Sequence, residues 1–218
     1  MTLPNNSIVL TPGSGETIAT HLISGKEYQT IMIAGPHGHI HGTRDSYIAV
    51  GFANSAVGAN KVHYDLWNGS ASTIEIHGIW VNNDFAVGVT GTVAMRIDLF
   101  RTTAVGTTGT LFTFENTAAT ETITRMDPAG ATLAAGISMR KAPGGGATTG
   151  AFVGQAYFQQ EEGITSIGYL TQWMNMVRYA GMDDVKELVV PAGTGIKIQQ
   201  GSVAAVGQCG VRIVFTVY

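Results

Sequence analysis

Residues 62–101 read VHYDLWNGSASTIEIHGIWVNNDFAVGVTGTVAMRIDLFR, and this stretch decides the fold class. It holds a pair of segments in which apolar and polar residues alternate, joined by a short connection. In the second segment Val93, Met95, Ile97 and Leu99 alternate with Ala94, Arg96, Asp98 and Phe100. That is the period-two signature of a half-buried strand. The first segment, Thr73 to Val81, is rich in Ile, Trp and Val, residues that suit a pleated surface. No acid–base pair and no ligand cluster lies between them. The pattern specifies a β-sheet scaffold and points to a surface rather than a reaction.

Working outward, further strands are expected at Tyr28–Ile33, Tyr47–Phe52, Lys61–Trp67, Thr110–Phe114, Leu133–Arg140, Ala151–Gln159, Glu187–Val190, Gly195–Gln199 and Gly210–Tyr218. Gly, Thr and Asn clusters separate them, as in a sandwich or barrel. The fold class expected is all-β, a jelly-roll-like two-sheet sandwich, with residues 25–218 as its single domain. Between Ser166 and Val177, Ile167, Leu170, Met174 and Val177 lie at helical spacing, which predicts at most one short helix or an ordered excursion. Residues 1–24 read as an extended N-terminal arm, with apolar anchors at Leu3, Ile8, Val9 and Leu10 and prolines at Pro4 and Pro12. Proline holds such a segment extended. An arm of this kind reaches a neighbouring subunit or adds a strand to a sheet edge, so Leu3, Pro4, Ile8, Val9 and Leu10 are interface candidates.

Composition narrows the function classes. Only 12% of the 218 residues are charged, against about 25% in ordinary soluble domains. A surface so poor in charge is hard to keep soluble as a free monomer, so a homo-oligomer is expected. The net charge of −3 and the scattered basic residues argue against nucleic acid as a partner. The single cysteine, Cys209, excludes an intrachain disulfide framework. It alternates with Val211, Ile213, Phe215 and Val217, and so reads as a small buried hydrophobe. Met1-Thr2-Leu3-Pro4 carries neither a basic start nor an apolar run, so no secretory signal is expected. No segment approaches the roughly 20 apolar residues of a membrane span, and production in a cytoplasm follows.

One cluster invites a chemical reading: Gly35-Pro36-His37-Gly38-His39-Ile40-His41-Gly42. If extended, His37, His39 and His41 share a face, and imidazoles so placed are candidate metal ligands. Cupin metalloenzymes open on a similar His-x-His. A cupin then requires a Glu shortly after the second His, where Gly42, Thr43, Arg44 and Asp45 stand. It also requires a His beyond a Pro-x-Gly turn; Pro191-Ala192-Gly193 supplies the turn, but residues 194–200 contain no His. Alternate residues on a strand sit about 7 Å apart, too far for three to share one ion without a bend. No metal and no cofactor is therefore expected, and the three histidines read instead as part of a subunit contact. No Gly-x-Ser-x-Gly elbow occurs, and Gly144-Gly145-Gly146 lacks the context of a phosphate loop. The carboxylate pairs Glu161-Glu162 and Asp183-Asp184 read as solvated turns, and Trp67, Trp80, Tyr157 and Trp173 as packing aromatics. No enzymatic activity is expected.

The runs Tyr64-Asp65-Leu66-Trp67-Asn68-Gly69-Ser70, Ile79-Trp80-Val81 and Ile97-Asp98-Leu99-Phe100-Arg101-Thr102-Thr103-Ala104-Val105-Gly106, with Val189 to Ile198 and the closing strand to Tyr218, carry a family resemblance. They resemble β-sandwich virion proteins of tailed bacteriophages, among them capsid decoration (cement) proteins. The resemblance covers about two-thirds of the chain, from Tyr64 onward, and brings no catalytic residues. It implies a structural protein on the capsid surface of a virion, assembled in the host cytoplasm. Its partners would be the major capsid protein and itself, as a homotrimer. Two other readings compete: a tail-fibre or spike head that binds a host glycan through Trp67-Asn68 and Trp80-Val81-Asn82-Asn83, and the cupin-like enzyme.

Overall fold

The computed structural model describes residues 20–23, 26–29, 44–51, 58–84, 93–144, 149–160, 174–178, 187–203 and 208–218. The chain divides into two units, Met1–His41 and Gly42–Tyr218. In the first, β1 (Thr20–Ile23) pairs antiparallel with β2 (Lys26–Gln29). Thr20–Ile23, the end of the expected arm, is thus one strand of a hairpin. Leu3, Pro4, Ile8, Val9, Leu10, His37, His39 and His41 all lie outside the described residues.

The second unit is a sandwich of two sheets. Its strands are β3 (Asp45–Gly51), β4 (Val62–Asn68), β5 (Ile74–Asp84), β6 (Val93–Thr102), β7 (Thr110–Leu111), β8 (Thr113–Phe114), β9 (Glu121–Arg125), β10 (Ile137–Lys141), β11 (Thr149–Gln160), β12 (Met174–Arg178), β13 (Leu188–Val190), β14 (Thr194–Gln200) and β15 (Gln208–Val217). One sheet runs β11-β6-β14-β4-β10-β7; the other runs β12-β5-β15-β3-β9-β8, with β13 also on β5. All pairs are antiparallel except β8 with β9.

Eight of these strands form two four-stranded blocks, β12-β5-β15-β3 and β11-β6-β14-β4. Along the chain, each step between these eight crosses to the opposite block, except β6 to β11, which are neighbours. That order is the double Greek key of a jelly roll. The two alternating segments of residues 62–101, β5 and β6, are therefore split between the two sheets.

Between β6 and β11 the chain inserts β7 to β10. Phe112, buried between β7 and β8, is where this segment leaves one sheet and joins the other. Chains that switch sheets in this way make the corners of sandwiches. The insertion extends both sheets on the same side, β10 beside β4 and β9 beside β3. At the corner, a Cβ on Gly51 would stand 2.6 Å from the Phe112 ring and 2.9 Å from the Tyr64 ring, so only glycine fits there.

The core is the inner face of both sheets. Tyr47, Tyr64, Leu66, Ile79, Ile97, Leu99, Ile213 and Phe215 are at most 1% exposed. Burial of each such side chain contributes about 1.5–3 kcal/mol. Tyr47 stacks on Phe215 at 5.5 Å between ring centres, and Tyr64 meets Phe112 edge-on. The Tyr64 hydroxyl donates to the Cys209 carbonyl at 2.5 Å, which ties β4 to β15 across the sandwich. Cys209 itself is buried, and burial pushes its thiol up to about 12.

Three local expectations change. Met174–Arg178 is a strand on β5 rather than part of a helix; residues 166–173 lie outside the described set. Thr110–Phe114 is broken at Phe112 into two short strands, and Leu133–Arg140 becomes a strand only from Ile137, after Gly136 takes a positive φ of 94°. β9, with its single fully buried apolar residue Ile123, is a strand that the hydrophobic pattern did not announce.

Candidate functional site

Two groups of side chains on the outer faces of the sheets bring chemistry together. The first is a row across the six-stranded sheet. Register places Phe152, Phe100, Lys197, Asp65, Arg140 and Leu111 side by side on β11, β6, β14, β4, β10 and β7. Asp65 is flanked by a cation on each neighbouring strand. Opposite charges directly across a sheet contribute about 0.2–1 kcal/mol each. Phe152 packs edge-on against Phe100 at 5.6 Å, and the Lys197 ammonium lies 5.8 Å from the Phe100 ring centre. Lys197 also donates to the Thr149 hydroxyl at 2.5 Å.

Although this face points away from the core, its centre is dry. Asp65 is 2% exposed and Lys197 3%. The connection after β6 covers Asp65: the Gly106 N–H donates to Asp65 Oδ2 at 2.6 Å, and a Cβ on Gly106 would collide with that oxygen and with Pro143. Burial raises the Asp65 carboxyl above its ordinary range, against the pull of Gly106 and Arg140. Burial likewise lowers the Lys197 ammonium. Further along, Asp98 is also buried, held by Arg96 Nε at 2.9 Å. The alternation in β6 had placed Asp98 on a wet face. Around this centre Phe152, Tyr157 and Leu111 remain about half exposed.

The second group lies on the other sheet. Between Gly78–Val214 and Ile76–Phe215 the register slips, so His77 is the extra residue of a β-bulge. Bulges re-aim side chains. The His77 ring sits 3.0 Å from the Thr216 hydroxyl through Nε2 and 2.8 Å from Glu187 Oε2 through Nδ1. Glu75, opposite Thr216, takes Arg44 at 2.6 Å, and Arg44 also lies 3.8 Å above the Tyr218 ring. Burial, reinforced by Glu75, raises the Glu187 carboxyl against the pull of His77. A hydroxyl, an imidazole and a carboxylate in line share the layout of an activated nucleophile. Here the hydroxyl belongs to Thr216, a β-branched residue only 6% exposed. The contacts join β5, β15 and the start of β13, and read as a tie between strands.

Among the described residues no group of three His, Cys, Asp or Glu could hold a metal ion. Asn68, one of the residues considered for a glycan, is buried and donates to the Ser72 and Val190 carbonyls at 2.8 and 2.9 Å, so it caps the turn after β4. Trp67 and Trp80 are half-buried. The rows on both faces escaped the sequence reading because their members are far apart in the chain. The one local signal was Asp65, a charge inside the apolar run Tyr64-Asp65-Leu66-Trp67. The chain matches no family model, no curated protein and no solved structure.

Proposed function

We propose that this chain is a non-enzymatic structural protein of a tailed-phage virion, of the capsid decoration type. In this reading it binds the major capsid protein as a homotrimer and stabilises the shell from its outer surface. The outer face of the six-stranded sheet carries the reading. Its charges are matched within the sheet, and half-exposed Phe152, Tyr157 and Leu111 surround them. A face built like this suits extended contact with other protein rather than turnover of a small molecule. The stretch that carries the phage resemblance builds the same face: Asp65 and Phe100 lie on it, and Gly106 covers Asp65. Packaged genome presses outward on a shell, and contacts that span shell subunits slow their dissociation by linked binding.

Light scattering of the purified protein is expected to give a trimer at micromolar concentration, or a trimer that forms only on shells of the major capsid protein. A reconstruction of decorated shells in which the bound protein is monomeric would overturn the trimer.

Deletion of residues 2–15 gives a second test. The truncated chain should keep its β-type far-UV circular dichroism and lose affinity for shells or for its own copies, because the arm's apolar anchors would dock on a neighbour. Loss of the fold on truncation would assign the arm to its own domain.

A further inference from the structure

The four ends of the two sheets are guarded unequally. The six-stranded sheet ends in β7, of two residues, and β11, of twelve. The other sheet ends in β8, of two residues, and β12, of five, which contains Arg178. β11 reads TGAFVGQAYFQQ, with no charged residue and no proline. Proteins blunt exposed edges with short strands, charges, prolines and bulges, because an unprotected edge is a template for another strand. Register shifts interrupt the first part of β11, between Thr149 and Phe152 and between Phe152 and Gly154. From Gly154 to Gln160 the ladder to Val93–Leu99 of β6 is regular, and among the described residues β11 has no other partner strand. From Gly154 to Gln160 no register shift, charge or proline interrupts the strand.

We propose that Gly154–Gln160 pairs antiparallel with the same run of a second copy, about a two-fold axis through Tyr157. Tyr157 is the central residue of the run, lies on the outer face beside Arg96 and is 54% exposed. This register sets Gln155 opposite Gln159, Ala156 opposite Phe158 and Gly154 opposite Gln160, so no charge meets another. Ala156, whose side chain joins the core, faces another core-side position. Arg96 beside the axis is neutralised by Asp98. Main-chain hydrogen bonds supply affinity, and a contact of a patch with itself closes after two copies. Opposed side chains on such an axis have Cβ atoms about 4.5–5.5 Å apart. The inference does not depend on the capsid reading. If trimers form, the same two-fold contact pairs two of them into a closed hexamer.

Tyr157→Cys in the full-length protein tests the register directly. Mild oxidation should give a covalent dimer on a non-reducing gel, since Cys209 is buried and does not compete. Phe152→Cys, equally exposed at 55% but away from the axis, should give little or none. In sedimentation, Tyr157→Lys, which gathers cations at the axis, should halve the assembly mass of the wild type with an unchanged circular dichroism spectrum. Three results would overturn the proposal: no cross-link through position 157, an equal cross-link through position 152, or identical sedimentation of wild type and Tyr157→Lys.

Discussion

Replacing Glu121 with alanine is expected to destabilise the sandwich by about 3–5 kcal/mol, the usual cost of orphaning one member of a buried ion pair. Glu121 on β9 and Lys141 on β10 belong to opposite sheets, and their side chains meet between them, each only about a tenth exposed. The Thr120 hydroxyl donates to the second Glu121 oxygen at 2.6 Å. Lys141 stands opposite Tyr64 and Glu121 opposite Gly51, so the pair seals the corner where Phe112 enters the core. Without the carboxylate, the ammonium is left in a site that excludes water. Total stability of a domain is about 5–15 kcal/mol, so the variant would fold with a thin margin. Lys141→Met should cost a similar amount, while Glu121→Leu combined with Lys141→Met should recover most of the loss. Urea denaturation of the three variants is the measurement. If Glu121→Ala shifts the unfolding free energy by less than about 1 kcal/mol, the pair behaves as an exposed one and does not seal the corner.

The fold class was legible because period-two alternation is a local property. Cys209, Val211, Ile213 and Phe215 alternate in sequence, and all four are buried in β15. Partner choice is not local. Nothing within Thr73–Val81 or Val93–Arg101 says that β5 and β6 lie in different sheets, because that follows from the order of eight strands. Short segments mislead in both directions. Met174 and Val177 fit a helical spacing by position, yet β12 is held to β5 from Met174 to Arg178. Glu121-Thr122-Ile123-Thr124-Arg125 carries too little apolar surface to announce β9, and the ladder to β3 makes it a strand.

The outer-face chemistry was hidden for a further reason. Alternation assigns Asp65 and Asp98 to the wet phase of their strands, which holds only while that face is open. At Asp65 the connection over Gly106 and the flanking cations close it, and at Asp98 the Arg96 side chain lies against the carboxylate. His77, Glu187 and Thr216 are brought together only by the bulge and by β13 on β5. The histidines that drew attention first, His37, His39 and His41, lie outside the described residues, while the one with the largest expected effect on stability passed unnoticed inside β4.

That residue is His63, and acidification is expected to remove about 3 kcal/mol of stability through it alone. His63 is fully buried, and neither ring nitrogen completes a hydrogen bond of normal geometry. Burial, with a smaller contribution from the Lys61 charge, lowers its pKa from 6.5 to about 4, and the neighbouring Gln200 side chain offsets only part of this. The unfolded chain therefore takes up a proton at higher pH than the folded one. Above about pH 6.5 neither state is protonated and the full stability is present. As pH falls towards about 4 the unfolded state binds the extra proton, and stability is lost at up to about 1.4 kcal/mol per pH unit. Below that value the folded state is protonated too, and the loss levels off. His63→Leu removes the titration and leaves the site apolar. Unfolding free energies for both proteins between about pH 8 and pH 4 should diverge only below about pH 6.5, with the wild type falling by the additional 3 kcal/mol or so. Carboxylates that titrate in the same range are common to both proteins and cancel in the difference. Lys61→Gln should reduce that divergence by a minor fraction, because burial is the larger cause. Parallel pH profiles for wild type and His63→Leu would show that His63 is hydrated in the folded state.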